Sequence, residues 1–378
     1  MISIIGAGPV GSYLGYLLSK DNINNTIIEE HTKIGRPEQC TGLISRNIED
    51  IVPYSWVQKA VLNKVRGAVI SCVKQEFEIS AKEHKAYVFD RSLFDKLMAA
   101  KAEEQGSKIL LGHTYISHSS GSYPSPSKGA GLNVKIRKGS INKIIKSSLL
   151  VGADGPLSKV AKNSGLYGER KFLIGTQAII KVKNPSFDKD KVQLCLDSRY
   201  SDGFFSWIVP IDGERVKAGL ASFSKSAEYL KAFLQDKFDG YKIEERHAGI
   251  IPLYRKIPLQ NREKNVFLVG DAALHVKATS GGGVVNGMLG AKCAHQAIKS
   301  GDFEYEKRLK DLRKNLMLHQ ILRNKLNKMD DSKKTYLLDI LNSKRTKELL
   351  LEFGDMDFPK RFLFRLLISE PRLLRFLV

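Results

Sequence analysis

The stretch that decides the fold is ISIIGAGPVGSYLGYLLSK, Ile2 to Lys20. A short apolar run, residues 2–6, leads into a glycine turn, and residues 9–20 follow with Leu14, Leu17 and Leu18 at helical spacing. Residues 25–29, NTIIE, read as a second strand, which completes a strand, turn, helix and strand unit. Gly6, Gly8 and Gly11 hold the GxGxxG spacing, with Gly15 further along the helix. In this setting the first glycine permits the tight turn and the second lets a pyrophosphate approach the backbone. The third lets helix and strand pack closely, and the helix N-terminus faces the anion. An acid about 20 residues on holds a ribose hydroxyl in such units. Glu29 and Glu30 both stand there, and Glu29 is preferred because it directly follows the strand run. A carboxylate at this point suits a ribose with a free 2′-hydroxyl and repels a 2′-phosphate.

The 378 residues suffice for two domains and a large core. Hydrophobic residues at 42% and charged residues at 27% are the balance of an ordinary soluble chain. No apolar run reaches the roughly 18–20 residues of a membrane-spanning helix. The N-terminus enters the first strand with no basic segment before it, which argues against a signal peptide. Cys40, Cys72, Cys195 and Cys293 make no CxxC pair, so the chain reads as reduced and cytoplasmic, without a structural metal. The net charge of +21 reads either as a lysine-rich solvated surface or as attraction to an anionic partner. With no nucleic-acid motif and no block of five or more basic residues, a membrane surface is favoured over nucleic acid.

Further along, VRGAVISCV and AYVF within residues 64–89 read as strands, and residues 92–105 as a helix capped by Ser92 and ended by Gly106. ILLGHTYISH reads as a strand, Ser119 to Gly131 as a loop rich in Ser, Gly and Pro, and LNVKIR and KSSLLVGAD as strands. Residues 172–223 are strand-rich and aromatic, residues 247–256 add an extended run, and residues 301–378 turn helical and basic. This order predicts an α/β fold: a Rossmann-like dinucleotide-binding domain from residues 1–63, 90–168 and 262–300. A β-rich substrate domain from residues 64–89 and 169–261 interrupts it, and residues 301–378 form a helical C-terminal tail.

Two more segments end a strand in glycine and aspartate. LLVGADGPLSKVAK holds Asp154 and Gly155; VFLVGDAALHVKATSGGGVVNG holds Asp271 and the glycines 281–283 before a helical run. Either alone is compatible with a strand-end turn. In this order, after GxGxxG and its acid, they resemble the FAD-dependent oxidoreductases of the para-hydroxybenzoate hydroxylase fold. GRPEQCTGL resembles the PxxCxG loop of the geranylgeranyl reductase branch, which includes archaeal digeranylgeranylglycerophospholipid reductases. KATSGGGVVNG resembles that branch's KxTTGGG segment, and FSWIVP its YxWxFP motif, with Phe for Tyr and Val for Phe. The resemblance covers roughly residues 1–300.

The resemblance implies FAD as cofactor, contacted by Gly6, Gly8, Val10, Gly11, Glu29, Cys40, Thr41, Leu43, Arg91, Asp154, Asp271, Gly283 and Val284. Asp271 would hydrogen-bond the ribityl chain, the glycine turn would lie near the ring and pyrophosphate, and the Asp154 segment would shape the cleft. Arg91 reads as an FAD contact or as a surface residue paired with Asp95 at i+4. Cys40, in a loop folded over the flavin, is the candidate proton donor or positioning residue. The implied reaction saturates isoprenoid double bonds of lipid precursors, with hydride from reduced flavin to one alkene carbon and a proton to the other. No second GxGxxG is present, so either NAD(P)H enters the same cleft or electrons come from reduced ferredoxin. A flavin monooxygenase hydroxylating an aromatic or apolar substrate, and a lipid-binding protein without activity, are the rival readings.

Two stretches stay open. In GFFSWIVPI, alternation sends Phe205, Trp207 and Val209 to one face and Phe204, Ser206 and Ile208 to the other. One face either packs as core or, through Phe205 and Trp207, lines a tunnel for a prenyl chain, whose burial is worth about 0.8 kcal/mol per methylene. FPKRFLFRLLISEPRLLRFLV, Phe358 to Val378, mixes large apolar residues with Lys360, Arg361, Arg365, Arg372 and Arg375. It reads as a packed C-terminal helix or as an interfacial element resting on anionic lipid.

Overall fold

The computed structural model describes residues 1–124, 130–263 and 265–376. Strand β1 is Ile2–Ile5, helix α1 is Pro9–Lys20 and strand β2 is Asn25–Glu29. They belong to a six-stranded sheet in the order Gln260–Asn261, Val266–Leu268, Leu149–Gly152, β1, β2, Lys108–Leu111. Every neighbour pair is parallel except the Gln260–Asn261 edge, and Ile4 stands between Val151 and Ile27. All four residues of β1 are buried, as a parallel strand covered on both faces requires. Gly6 sits at φ +105°, and a Cβ there would lie 2.4 Å from the Ala153 carbonyl oxygen. A Cβ on Gly11 would lie 2.1 Å from the Gly6 carbonyl oxygen. The turn therefore closes only with glycine at both positions, and this sets the start of α1 against the end of β1.

The helix expected over 92–105 spans Arg91–Glu104, and its cap is Asp90 instead of Ser92. Asp90 keeps an extended backbone and accepts the Leu93 N–H at 2.9 Å, whereas Ser92 already lies inside the helix. The stretch expected as a loop from Ser119 to Gly131 is mostly strand. Thr114–Pro124 and Ala130–Lys138 pair antiparallel, with Ser117, Ser119 and Ser120 opposite Lys135, Asn133 and Leu132. Cross-strand pairing overrides the weak strand preference of serine and glycine here. Residues 125–129 of that expected loop lie outside the described residues. Ile141–Ser147 completes this three-stranded sheet. ILLGHTYISH is two strands, split at Gly112.

The β-rich part is a seven-stranded sheet in the order Tyr241–Leu253, Lys171–Val182, Arg215–Ser222, Ser206–Pro210, Lys191–Cys195, Gly67–Cys72, Gln75–Ser80. One face, with Ile208, Ala218 and Leu220, is covered by Leu230, Phe233 and Leu234 of a helix at Ser226–Lys237. The other carries Phe205, Trp207, Val209 and Ala221 and packs against Val88 and Ala278. Alternation thus places Phe205, Trp207 and Val209 as expected, but Phe204 does not go to the opposite face. It precedes the strand and stacks on Phe205 with ring centres 4.2 Å apart. Ala86–Phe89 stays out of this sheet and pairs with Leu43–Ser45 and Val61–Val65.

Residues beyond 301 are helical: Lys310–Asn327, Asp331–Leu341, Lys344–Phe353 and Lys360–Ser369 are the longer helices. Leu366 and Leu373 pack with Ile340, while Phe364, Ile368 and Leu374 face solvent. Among the described residues no helix is long and apolar enough to cross a membrane.

Candidate functional site

The three glycine–acid segments meet at the C-terminal ends of neighbouring parallel strands of the central sheet. Helix α1 begins at Gly8 with no side-chain cap, so its first N–H groups are left for an anion. A Cβ on Gly8 or Gly155 would meet nothing within 4 Å, so the space over both turns is open. Glu29, at the end of β2, turns back on the loop. Its Oε2 accepts the Ala7 N–H at 2.8 Å, and its Oε1 accepts from the His31 N–H at 2.9 Å and lies 2.7 Å from His31 Nδ1. The carboxylate keeps lone pairs for a hydroxyl beyond these donors. Asp154 behaves differently. Its two oxygens accept the Ser158 hydroxyl at 2.6 Å and the Val160 N–H at 3.0 Å, which fixes the start of helix Lys159–Ser164. Burial pushes its carboxyl up, and these hydrogen bonds only partly offset that. What Asp154 brings to the cleft edge is its backbone: a Cβ on Gly6 would lie 3.3 Å from Asp154 Cα.

Val10 lies in a notch of the GDAA segment. A Cβ on Gly270 would meet Val10 Cβ at 3.3 Å, and one on Gly287 would meet its Cγ2 at 2.7 Å. The start of α1 is thereby docked on the turn that carries Asp271. Asp271 Oδ1 lies 2.9 Å from where a Cβ on Gly283 would stand, and its carboxylate has no hydrogen-bond partner among the described residues. Burial pushes its carboxyl up to about 6, with Arg91 pulling it partly back. An unpartnered acid in such a place calls for a hydroxyl or amide donor. The helix Val284–Ser300 starts at Gly283, again without a side-chain cap. Arg91 is buried instead of lying on the surface, and it is paired with Asp95: Nε and Nη2 donate to Oδ1 at 3.1 and 2.9 Å. Burial opposes the Arg91 charge, but Asp95 and then Cys40 outweigh it, so the guanidinium holds its proton more firmly than usual.

The cysteine loop bridges this region and the seven-stranded sheet. Glu38 Oε1 accepts from Lys217 Nζ at 3.1 Å, both side chains being buried, and Lys217 also donates to the Phe89 carbonyl at 3.3 Å. Thr41 donates its hydroxyl proton to Gln177 Oε1 at 2.8 Å, and the Gly42 N–H points to Cys40 Sγ at 3.4 Å. Leu43 opens the short strand opposite Val88. Gln177, Gly219 and Trp207 are direct register neighbours, hence on one face. The loop therefore lies over the face that carries Phe205 and Trp207. Gln177 Nε2 and Trp207 Nε1 are buried there without a partner among the described residues.

The KATSGGG segment is held from behind by the C-terminal helices. Asn315, His319 and Arg323 stand four residues apart on Lys310–Asn327, and all three are buried. Arg323 donates to the carbonyls of Ala278 and Thr279 at 2.9 and 2.6 Å, and its guanidinium lies 4.3 Å from the centre of the Phe204 ring. His319 is held neutral, pushed down to about 4 by burial. Its Nδ1 takes the Thr279 hydroxyl at 2.6 Å and its Nε2–H the Asp357 carbonyl at 3.1 Å. Lys277 Nζ meets Asp357 Oδ1 at 2.5 Å. A separate cavity of about 480 Å³, lined by Phe223, Leu253, Tyr254, Met317, Gln320 and Asn324, shares Leu253 with the cluster around Phe205 and Trp207.

Sequence reasoning missed His31, Lys217, Asp357 and the polar stripe on Lys310–Asn327. Lys217 had a signal, a charge in the otherwise apolar run after Arg215 in RVKAGLAS, and so did the stripe, at i, i+4 and i+8 of an amphipathic helix. His31 and Asp357 had none beyond composition.

Two uncapped helix starts, open backbone at Gly8 and Gly155, and an unpartnered acid fit a dinucleotide with a diphosphate and hydroxyls. The comparisons with known proteins agree with this. An uncharacterised protein of Methanocaldococcus jannaschii is 31% identical over 362 residues, covering 94% of this chain and 85% of its own. A digeranylgeranylglycerophospholipid reductase of the same organism is 27% identical over 401 residues, covering 99% and 96%. A geranylgeranyl bacteriochlorophyll reductase-like protein of Thermoplasma acidophilum has the same fold, with a TM-score of 0.83 at 20% identity over 99% and 97% of the two chains. The family model of the FAD binding domain matches residues 1–293, and the chain belongs to that family.

Proposed function

We propose that this FAD-dependent oxidoreductase saturates the isoprenoid double bonds of geranylgeranyl membrane-lipid precursors. The observation that carries the reading is the position of the cysteine loop. It is tied to the cofactor side through Arg91 and Gly42 and to the aromatic sheet face through Thr41–Gln177 and Glu38–Lys217. A reacting group between flavin and that face would touch Cys40. The names of the archaeal relatives support the lipid class. In this reading residues 1–63, 90–168 and 262–300 hold the cofactor and residues 64–89 and 169–261 the substrate.

Glu29 would bind the ribose hydroxyls, and the start of α1, from Gly8 through Val10 and Gly11, the diphosphate. Asp271 would accept from the ribityl chain, and the N–H groups after Gly283 and Val284 would meet the ring edge. Bound and reduced, FAD supplies the hydride. The chain's own residues orient the alkene, exclude water and move one proton. Cys40 Sγ would give that proton to the carbon that does not receive hydride. Phe205 and Trp207 would line the path of the chain and stabilise the positive charge that builds on it. NAD(P)H or reduced ferredoxin would regenerate the reduced cofactor. The exposed Phe364, Ile368 and Leu374, with Lys360 and Arg365 beside them, would rest on an anionic membrane surface where such precursors reside.

The test is anaerobic incubation of dithionite-reduced protein with geranylgeranyl lipids, read by mass spectrometry. Products heavier by two hydrogens per reduced bond are expected. Bound, reducible flavin with no mass gain on any such lipid would sink the reading.

A further inference from the structure

We infer that Asp357 is a positioning residue of the flavin site: it pins the cysteine strand, the glycine turn and the C-terminal helices at one point, and it balances the charge of Lys277 beneath Gly282. The inference rests on the reading that the turn at residues 281–283 carries the flavin. Asp357 precedes the helix Lys360–Ser369, well outside the residues matched by the family model.

Asp357 is 0% exposed, yet every polar atom of its carboxylate and carbonyl is engaged. Oδ1 takes Lys277 Nζ at 2.5 Å. Oδ2 accepts from the Ser45 hydroxyl and from Asn47 Nδ2, the latter at 2.9 Å. Its backbone carbonyl accepts from Asn315 Nδ2 at 2.6 Å and from His319. One residue thus joins the strand that follows Cys40, the KATSGGG segment and the helix Lys310–Asn327. A buried ion pair with its remaining lone pairs satisfied adds little net stability but sets register firmly, because removing one member strands a charge.

Lys277 gives the pin its effect on the cofactor. The turn is wrapped around it: the Lys277 N–H donates to the Gly282 carbonyl at 3.0 Å, and its own carbonyl accepts the Gly281 N–H at 2.8 Å. A Cβ on Gly282 would meet Lys277 Cε at 3.1 Å and Nζ at 3.4 Å, so the ammonium lies directly under the turn. An unbalanced cation there favours the reduced, more anionic flavin over the oxidised one. Asp357 cancels it. The other titratable and charged groups facing the pair are His319, from the helix, and Asp355, which holds Asn47 and Arg361 at 3.0 and 2.7 Å.

The test uses the full chain with Asp357→Asn, Lys277→Met, their combination, and Asn47→Ala. The flavin midpoint potential is followed against pH in the holoprotein, and amide hydrogen exchange of residues 41–47 and 277–283 in the apoprotein. Asp357→Asn should raise the preference for reduced over oxidised flavin about tenfold near pH 6, about 30 mV for a two-electron couple. Lys277→Met should shift the potential the opposite way, which keeps the test open if Asp357→Asn folds poorly. The double variant, again neutral, should return to the wild-type potential. Asn47→Ala, which keeps the ion pair, should speed exchange in 41–47 without moving the potential. A double variant that keeps the shift, or exchange in the two segments unchanged by Asp357→Asn, overturns the inference. A chain that binds no FAD overturns the functional reading instead, and the apoprotein exchange tells the two failures apart.

Discussion

Replacing Asp271 by asparagine should make the apoprotein more stable at neutral pH while making it a poorer host for FAD. The carboxyl is pushed up to about 6 from an ordinary 3.8, chiefly by burial, and it has no protein donor to offset that. The folded chain therefore holds this proton more tightly than the unfolded chain. Stability falls wherever the folded state binds more protons, here as pH rises from near 3.8 through about 6, and the loss is complete above that window. Two pKa units correspond to about 3 kcal/mol. That is a ceiling, since the side chain keeps part of its contact with water. Asp271→Asn removes the ionisation and leaves the shape. Its apoprotein should gain up to about 3 kcal/mol over wild type at pH 7 and nothing at pH 4. A hydroxyl donor from the ribityl chain meets a carboxylate in the wild type and only an amide oxygen in the variant. Losing the charge assistance should weaken FAD binding by about 1–2 kcal/mol, five- to thirtyfold. Urea unfolding of both apoproteins from pH 4 to 8, with FAD titration at pH 7, measures both effects. A variant less stable than wild type at pH 7, or a stability difference flat across the range, would refute the assignment of Asp271 as an unpaired acid facing the cofactor.

Cys40→Ala should lower alkene reduction by at least about 100-fold, the lower end of general-acid contributions, with FAD binding within about threefold of wild type. Full turnover in that variant would remove the thiol as proton donor. Lys217→Met should cost about 3–5 kcal/mol in urea unfolding, because it leaves Glu38 buried without its cation, and Lys217→Met with Glu38→Gln should recover most of that. A single-variant loss under about 1 kcal/mol would mean that the pair is open to water. Phe364→Asp with Ile368→Asp should abolish co-sedimentation with anionic vesicles while leaving the melting temperature unchanged, and equal wild-type binding to neutral vesicles would contradict the role of the basic residues beside them.

The cofactor half of the site was legible because its signals are local. Gly6 is required by its φ of +105° and Gly11 by the 2.1 Å approach of a Cβ there to the Gly6 carbonyl, both within one turn, and Glu29 stands at the end of the strand that the turn introduces. Such constraints write themselves into spacing. The expected loop from Ser119 failed for the opposite reason: its serines are in strand because of their partners at 132–135, and composition carries no record of a partner. Ser92 reads as the cap in the sequence but Asp90 caps in the fold, since only the backbone angles decide which residue stands outside the helix. Phe204 stacks on Phe205 because the strand begins at Ser206, two residues later than alternation assumed. The pins on the cysteine loop join residues 38 to 217 and 41 to 177, and the turn joins 277 to 357. Each is a pairing between remote residues of ordinary type, which one sequence does not reveal.

The charge arrangement favours a cleft that would meet its ligand mainly with backbone groups. Arg91, Lys217 and Lys277 are buried around it, and each already has its anion in Asp95, Glu38 and Asp357. Arg323 spends its donors on two carbonyls. Each of these cations is already balanced, so in the proposed reading much of a diphosphate's charge would be met by helix starts, each worth about half a charge and unable to swing away. The contacts also fix a sequence along the cleft. Glu29 touches Ala7 at the start of α1, Val10 of α1 touches Gly270 beside Asp271, and Asp271 touches Gly283 at the next helix start. Acid, helix start, acid, helix start is the complement of hydroxyl, diphosphate, hydroxyl, carbonyl, which is the order of ribose, diphosphate, ribityl chain and ring in FAD. Asp271 would repel a phosphate, so a ligand shifted along the cleft by one unit meets like charge. In the proposed reading the alternation would set the register of the cofactor as well as its affinity, and would point the ring end towards Gly283, Cys40 and the aromatic face of the sheet.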